Sequence, residues 1–273
     1  MEPLFILATL LYMLSSASYF GYLFFQKVPL QRLAFCVMIA GFFFHTVVLI
    51  VSGIKAGHFP INNLYETLSF TGWSIAAVFL ALSFRYKLRI LGIYAGPLIT
   101  MTTIAAYQMP RSVAQDPQLF KSWWLAAHVV AIFLGNAAFA LACGLGILYV
   151  LQENAIKRKA RGFFFNRLPS LDLLDTTGYA CIVAGFCLIT IGLVSGLIYA
   201  KAIWERFWSW DPKEVWSVIT WLFYAALLHE RLTVGWRGRR AAIMSIVGFG
   251  VLLFTFFGVN FLLKGHHGAF TAV

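Results

Sequence analysis

Eight long apolar runs divide this chain and leave little else: about Leu4–Phe25, Leu33–Ser52, Leu68–Phe84, Ile90–Tyr107, Trp123–Leu151, Thr176–Ala200, Val215–Leu232 and Ala241–Leu263. A helix needs roughly 20 apolar residues to cross a hydrocarbon core about 30 Å thick. Runs of that length, packed into 273 residues, predict an all-α polytopic membrane protein with about eight transmembrane helices. Residues 1–273 then form a single integral membrane domain. Composition agrees, with 61% hydrophobic and 11% charged residues, against about 25% charged in a soluble domain. This excludes an ordinary soluble protein and a disordered chain. The net charge of +11 does not indicate a nucleic-acid binder, because the basic residues sit in short clusters between apolar runs.

Those clusters set the topology. An even number of spans puts both termini on one side. One set of connections holds Lys27, Arg32, Arg85, Lys87, Arg89, the cluster from Lys157 to Arg167, and Arg231 to Arg240. The other set holds half as many basic residues, among them Lys55, Arg111, Lys201 and Lys213. The richer set faces the cytoplasm by the positive-inside rule, so both termini face outward, to the periplasmic side. On this reading residues 152–175 are a cytoplasmic basic loop with a short interfacial helix around Leu168–Asp172, and residues 201–216 are an outer loop. The first run follows Met1-Glu2-Pro3 with no basic segment, which reads as a retained helix rather than a cleaved signal.

The four cysteines each lie inside an apolar run, and none forms a CxxC or CxxCH pair. They read as small buried hydrophobes. The histidines are more informative. His58, His128, His266 and His267 fall at or near the outer face, His45 in the outer half of the second run, and His229 near the inner end of the seventh. Histidine is the commonest metal ligand, and an ionisable residue at membrane depth is a functional candidate. A lone membrane histidine, however, more often packs through a hydrogen bond than binds a metal. His45 beside Phe42, Phe43 and Phe44 fits packing, and His229 beside Glu230 and Arg231 fits a headgroup residue.

The outer loop before the seventh run shifts that balance. It places Trp204, Trp208, Trp210 and Trp216 close together, interleaved with Arg206 and Lys213. Headgroup anchoring calls for scattered tryptophans. Clustered indoles beside cations suit a planar apolar macrocycle with anionic substituents, such as haem. Asp211 has a plainer reading: Asp211-Pro212-Lys213-Glu214 is a helix start, with Asp at N-cap, Pro at N1 and Glu at N3.

The segment WERFWSWDPKEVWSVITWLFYAALLH, Trp204 to His229, resembles the tryptophan-rich WWD signature of haem-handling membrane proteins. Within that superfamily it is most similar to the CcsA (ResC) family of System II cytochrome c biogenesis. WWLAAHVVAIFLG, holding His128, and VNFLLKGHHGAF, holding His267, resemble the family's flanking outer histidine segments, and His229 matches its intramembrane histidine. FPINNLYE from Phe59 and LPSLD from Leu168 are similar in style. The chain departs from the family in having Glu205 where glycine is common and His266-His267 where Leu-His is usual.

The resemblance implies a cytochrome c haem lyase (synthase) function, in which haem b is presented at the outer face and joined to CxxCH of an apocytochrome c. It implies His128 and His267 as axial ligands of the iron, and His229 as a ligand at a transmembrane haem site. Trp204, Trp208, Trp210, Asp211, Trp216, Arg206 and Lys213 would surround the macrocycle. The implied partners are the membrane protein CcsB (ResB), apocytochrome c and thiol-reducing maturation proteins. The implied location is the inner (cytoplasmic) membrane, or the thylakoid membrane in a plastid. Two alternatives stay open: a haem exporter without ligation activity, similar to CcmC, and a regulatory membrane protein of the HemX type.

Overall fold

The structure, a computed structural model, describes residues 1–111, 122–159, 163 and 166–258. Among these it is helical, as the apolar runs require. The helices are α1 Glu2–Phe25, α2 Val28–Ala56, α3 Leu64–Tyr86, α4 Gly92–Gln108, α5 Trp123–Lys157, α6 Leu171–Trp204, α7 Pro212–Thr233 and α8 Arg239–Leu253. A 3-10 turn, Arg89–Leu91, leads into α4, and a π turn, Phe254–Gly258, follows α8. Seven spans among the described residues are long and apolar enough to cross a membrane, α4 counted with the 3-10 turn before it and α8 with the π turn after it. The remaining one is α7, which carries Lys213 and Glu214 in its first turn and Glu230 and Arg231 in its last.

Local chemistry sets the ends. Asn63 caps α3 by accepting from the Glu66 amide at 2.9 Å. Ser170 caps α6 by accepting from the Leu173 amide at 3.4 Å. The interfacial helix expected around Leu168–Asp172 is therefore the first turn of α6 itself. The basic connection is also shorter than 152–175, because its first residues continue α5 and its last begin α6. Glu153 explains the extension of α5: it pairs with Lys157 one turn later and with Arg239, both at 2.8 Å. At 35 and 34 residues, α5 and α6 are each about 50 Å long, well beyond the core of a bilayer.

α5 is the central helix, packed on α3, α6 and α8. Its buried face is built from small residues, among them Gly135, Ala138, Ala142 and Gly146. Small residues let helix backbones approach where lipid gives no hydrophobic driving force between helices. A Cβ at Gly135 would sit 2.8 Å from Ile189 and 3.1 Å from the Gly185 carbonyl on α6. Phe139 stacks on Tyr224 at 3.4 Å between ring centres, which ties α7 to the same core.

The contacts define two ends. At one, Glu2 accepts from Tyr107 at 3.1 Å and lies 3.7 Å from Arg111, while Phe133 meets Phe256. The starts of α1 and α5 and the ends of α4 and α8 thus share an end with the tryptophan loop. At the other, Arg231 forms a bidentate pair with Asp175 at 3.0 and 2.6 Å, Gly238 donates its amide to the same carboxylate, and Arg239 reaches Glu153. This is the basic end. The alternation of ends is the one expected for an antiparallel eight-helix chain.

Candidate functional site

His128 lies in the second turn of α5 and is half-buried. Its Nδ1 is 2.6 Å from the Gly192 carbonyl on α6. A carbonyl only accepts, so Nδ1 is the donor, and in the neutral ring the lone pair would then lie on Nε2. That tautomer presents Nε2 as a ligand nitrogen, and a backbone carbonyl on the opposite nitrogen is the usual device for fixing a metal-binding imidazole. The ring lies against Gly192 and Gly196, where a Cβ at Gly196 would fall 2.6 Å from Nδ1. The sequence signal for this groove was Gly192-Leu-Val-Ser-Gly196, a small-xxx-small spacing in an apolar run. Nothing local links that spacing to a histidine 64 residues earlier.

From Gly196, α6 runs about 12 Å further to Trp204. Glu205 then closes the helix in the left-handed region, φ +58°. That conformation costs a residue with a Cβ about 1–2 kcal/mol, a strain that glycine would not carry. Lys201 spans the turn, donating from Nζ to the Glu205 carbonyl at 2.7 Å and lying 5.6 Å from the Phe207 ring.

The loop's four tryptophans do not form one stack. Trp204 lies edge-on to Tyr199. Trp208 and Trp210 meet edge to face at 5.8 Å. Trp216 turns away from the loop onto Phe254, at 4.5 Å. Arg206 is exposed and Lys213 half-buried. Trp123 and Trp124, at the start of α5 and five and four residues before His128, are exposed at the same end.

Asp211 is 4% exposed and caps α7, accepting from the Lys213 amide at 2.8 Å within a complete capping box. Glu214 does more than the box requires. Its Oε2 accepts from the amides of both Ser209 (2.9 Å) and Asp211 (3.3 Å), and its Oε1 accepts from the Ser209 hydroxyl at 2.8 Å. Between those two residues Trp210 has φ +58° and is 78% exposed as a residue.

Of the other described histidines, His45 and His58 lie toward this same end and only His229 is remote from it. His45 is fully buried, with Tyr12 Oη at 3.3 Å from Nδ1 and Ser69 Oγ at 2.9 Å from Nε2. It is a packing histidine joining α1, α2 and α3. His58 turns Nδ1 to the Phe59 carbonyl at 2.9 Å. His229 is exposed, 17 residues or about 25 Å along α7 from Pro212. It shares an exposed stripe with Ile219, Leu222, Ala226 and Thr233. His266 and His267 lie outside the described residues. Among the described residues no group of three or more His, Cys, Asp or Glu comes together as a metal cluster.

The family model described as cytochrome C assembly protein matches residues 61–267. The chain belongs to this cytochrome c assembly family. The matched span takes in His128, the tryptophan loop and His229, and reaches His267. Proteins called cytochrome c biogenesis protein CcsA are similar over most of their length. The one from Guillardia theta is 34% identical over 81% of this chain and 80% of its own. That of Prochlorococcus marinus strain MIT 9301 is 36% identical over 78% and 76%. That of Synechococcus strain JA-3-3Ab is 32% identical over 91% and 89%. Among solved structures, the cytochrome c haem lyase CcmF shares the fold, with a TM-score of 0.66 at 16% identity. The match covers 98% of this chain, which spans about half of that lyase's length (48%).

Proposed function

We propose that this protein is the haem-handling subunit of a cytochrome c synthase, presenting haem b at the outer membrane face to the CxxCH of an apocytochrome c. The observation that supports this reading is the His128–Gly192 hydrogen bond, which holds one imidazole nitrogen to the α6 backbone at the end of the bundle that bears the tryptophan loop. His128 and His267 would hold the iron. Trp204, Trp208 and Trp210 would receive the ring, Asp211 fixes the loop onto α7, Trp216 ties α7 to Phe254 at the same end, and Arg206 and Lys213 would meet the propionates.

The chemistry asked of the protein is positioning. Each thioether forms when a substrate cysteine S–H adds across one vinyl C=C, with no net oxidation or reduction. No side chain need serve as acid, base or nucleophile. Holding vinyl and thiol in contact turns a bimolecular addition into an effectively unimolecular one.

The exposed stripe holding His229 supports a second role, in which haem passes a transmembrane site. The opposing ligand there comes from a partner membrane protein, CcsB, docked on that face of α7. The test is the absorption spectrum of the protein purified with that partner. A haem complement with a bis-histidine spectrum is expected. A colourless complex would remove the reading, and bound haem without covalent attachment to a co-expressed apocytochrome would favour an exporter.

A further inference from the structure

We propose that Glu214 is a positioning residue whose carboxylate holds the indole of Trp210 outward toward the ligand. The inference rests on the haem-handling reading and extends it to a residue whose helix-capping role alone would not need it.

The geometry around Trp210 sets this apart from an ordinary cap. A capping-box glutamate returns to one amide, that of the N-cap residue. Glu214 also takes the amide and the hydroxyl of Ser209, two residues before the N-cap. The amides on either side of Trp210 converge on the same oxygen, Oε2. The chain between them turns sharply, and Trp210 takes up the turn at φ +58°. Bulky aromatic residues rarely adopt that conformation, and residues kept there cluster at functional sites when their surroundings over-determine them. Charge-assisted bonds to a carboxylate are about twice as strong as neutral ones and supply that constraint.

The result is an indole pointing away from the protein, braced edge-on by Trp208. A turn built for stability alone would place glycine or asparagine at that backbone conformation. Tryptophan there, with a carboxylate holding the turn from behind, is arranged for contact with something outside the bundle. In the proposed function that contact is the porphyrin face.

The experiment compares haem retention in two backgrounds. In the wild-type background, Glu214→Ala should lower haem affinity about tenfold through its coupling to Trp210. Glu214→Gln, which keeps one oxygen for both amides, should restore most of it. In a Trp210→Gly background the left-handed turn is relaxed and the indole absent, so adding Glu214→Ala should change affinity by less than about twofold. Equal losses from Glu214→Ala in both backgrounds would show a general cap and overturn the proposal. A second measurement is independent of haem. The fluorotryptophan NMR resonance of Trp210, assigned with Trp210→Phe, should shift in Glu214→Ala and hold its position in Glu214→Gln. An unmoved resonance in Glu214→Ala would overturn the proposal. Absence of haem from the wild-type complex would count against the proposed function alone, since the NMR arm still decides how Trp210 is held.

Discussion

The Gly192 carbonyl on α6 accepts a hydrogen bond from His128 Nδ1 on α5 at 2.6 Å. The bond aims the ring by a backbone acceptor on the neighbouring helix. Its groove depends on a missing side chain at Gly196, where a Cβ would lie 2.6 Å from Nδ1 and 2.8 Å from Cε1. Gly196→Ala should therefore displace the imidazole and weaken the bis-histidine spectrum while leaving the helices assembled. Gly178→Ala, where the nearest contact is an ordinary 3.8 Å, is the control. Matching spectra from the two variants would show that the groove does not place the ring.

Asp211 acts as an N-cap. Replacing it with alanine should cost about 1 kcal/mol and loosen the loop, whereas asparagine or serine should retain haem. Thermal unfolding and haem content of the three variants check this. Complete loss of haem in all three would point to direct participation of the carboxylate.

Glu205 occupies a left-handed position that glycine takes without strain. Glu205→Gly should stabilise the protein by about 1 kcal/mol, because the Lys201 bond across the turn uses the Glu205 backbone carbonyl and survives the change. Unfolding midpoints in detergent give the comparison. A lower midpoint would mean that the Glu205 side chain contributes more than its backbone costs.

Asp175 and Arg231 pair at the basic end with side chains only 15% and 9% exposed. Asp175→Asn leaves the guanidinium nearly buried without its counter-charge, and about 3 kcal/mol of stability should go with it. Stability equal to wild type would show that Arg231 finds solvent or another acceptor.

His229 lies about 25 Å along α7 from the tryptophan loop. His229→Ala should reduce the haem that reaches the outer site, and haem that does arrive should keep its bis-histidine spectrum. Occupancy and spectrum of the variant purified with its partner separate delivery from ligation. Wild-type occupancy would remove the transit role.

The sequence made the fold legible because eight apolar runs leave few alternatives, and the helix start at Asp211-Pro212-Lys213-Glu214 is stated by four adjacent residues. The short interfacial helix expected around Leu168–Asp172 differs from the observed start of α6 because a polar segment marks where a helix begins and says nothing of its length. The site was partly legible. His128 and the tryptophan loop announce themselves, but the Gly192–Gly196 groove is a relation between distant segments with no local signature. The turning of Trp216 onto Phe254, and of Trp210 outward, depends on backbone angles that clustering of indoles does not encode. His45 shows the opposite case: its burial between Tyr12 and Ser69 bears out the plain packing reading.

The most direct test of the central claim is covalent haem staining of an apocytochrome c co-expressed with this protein and its membrane partner in a strain lacking other maturation systems. The wild-type protein should give a stained cytochrome. His128→Gly should give none, with partial recovery when imidazole fills the vacated position on the iron. Undiminished staining with His128→Gly and no added imidazole would contradict the account.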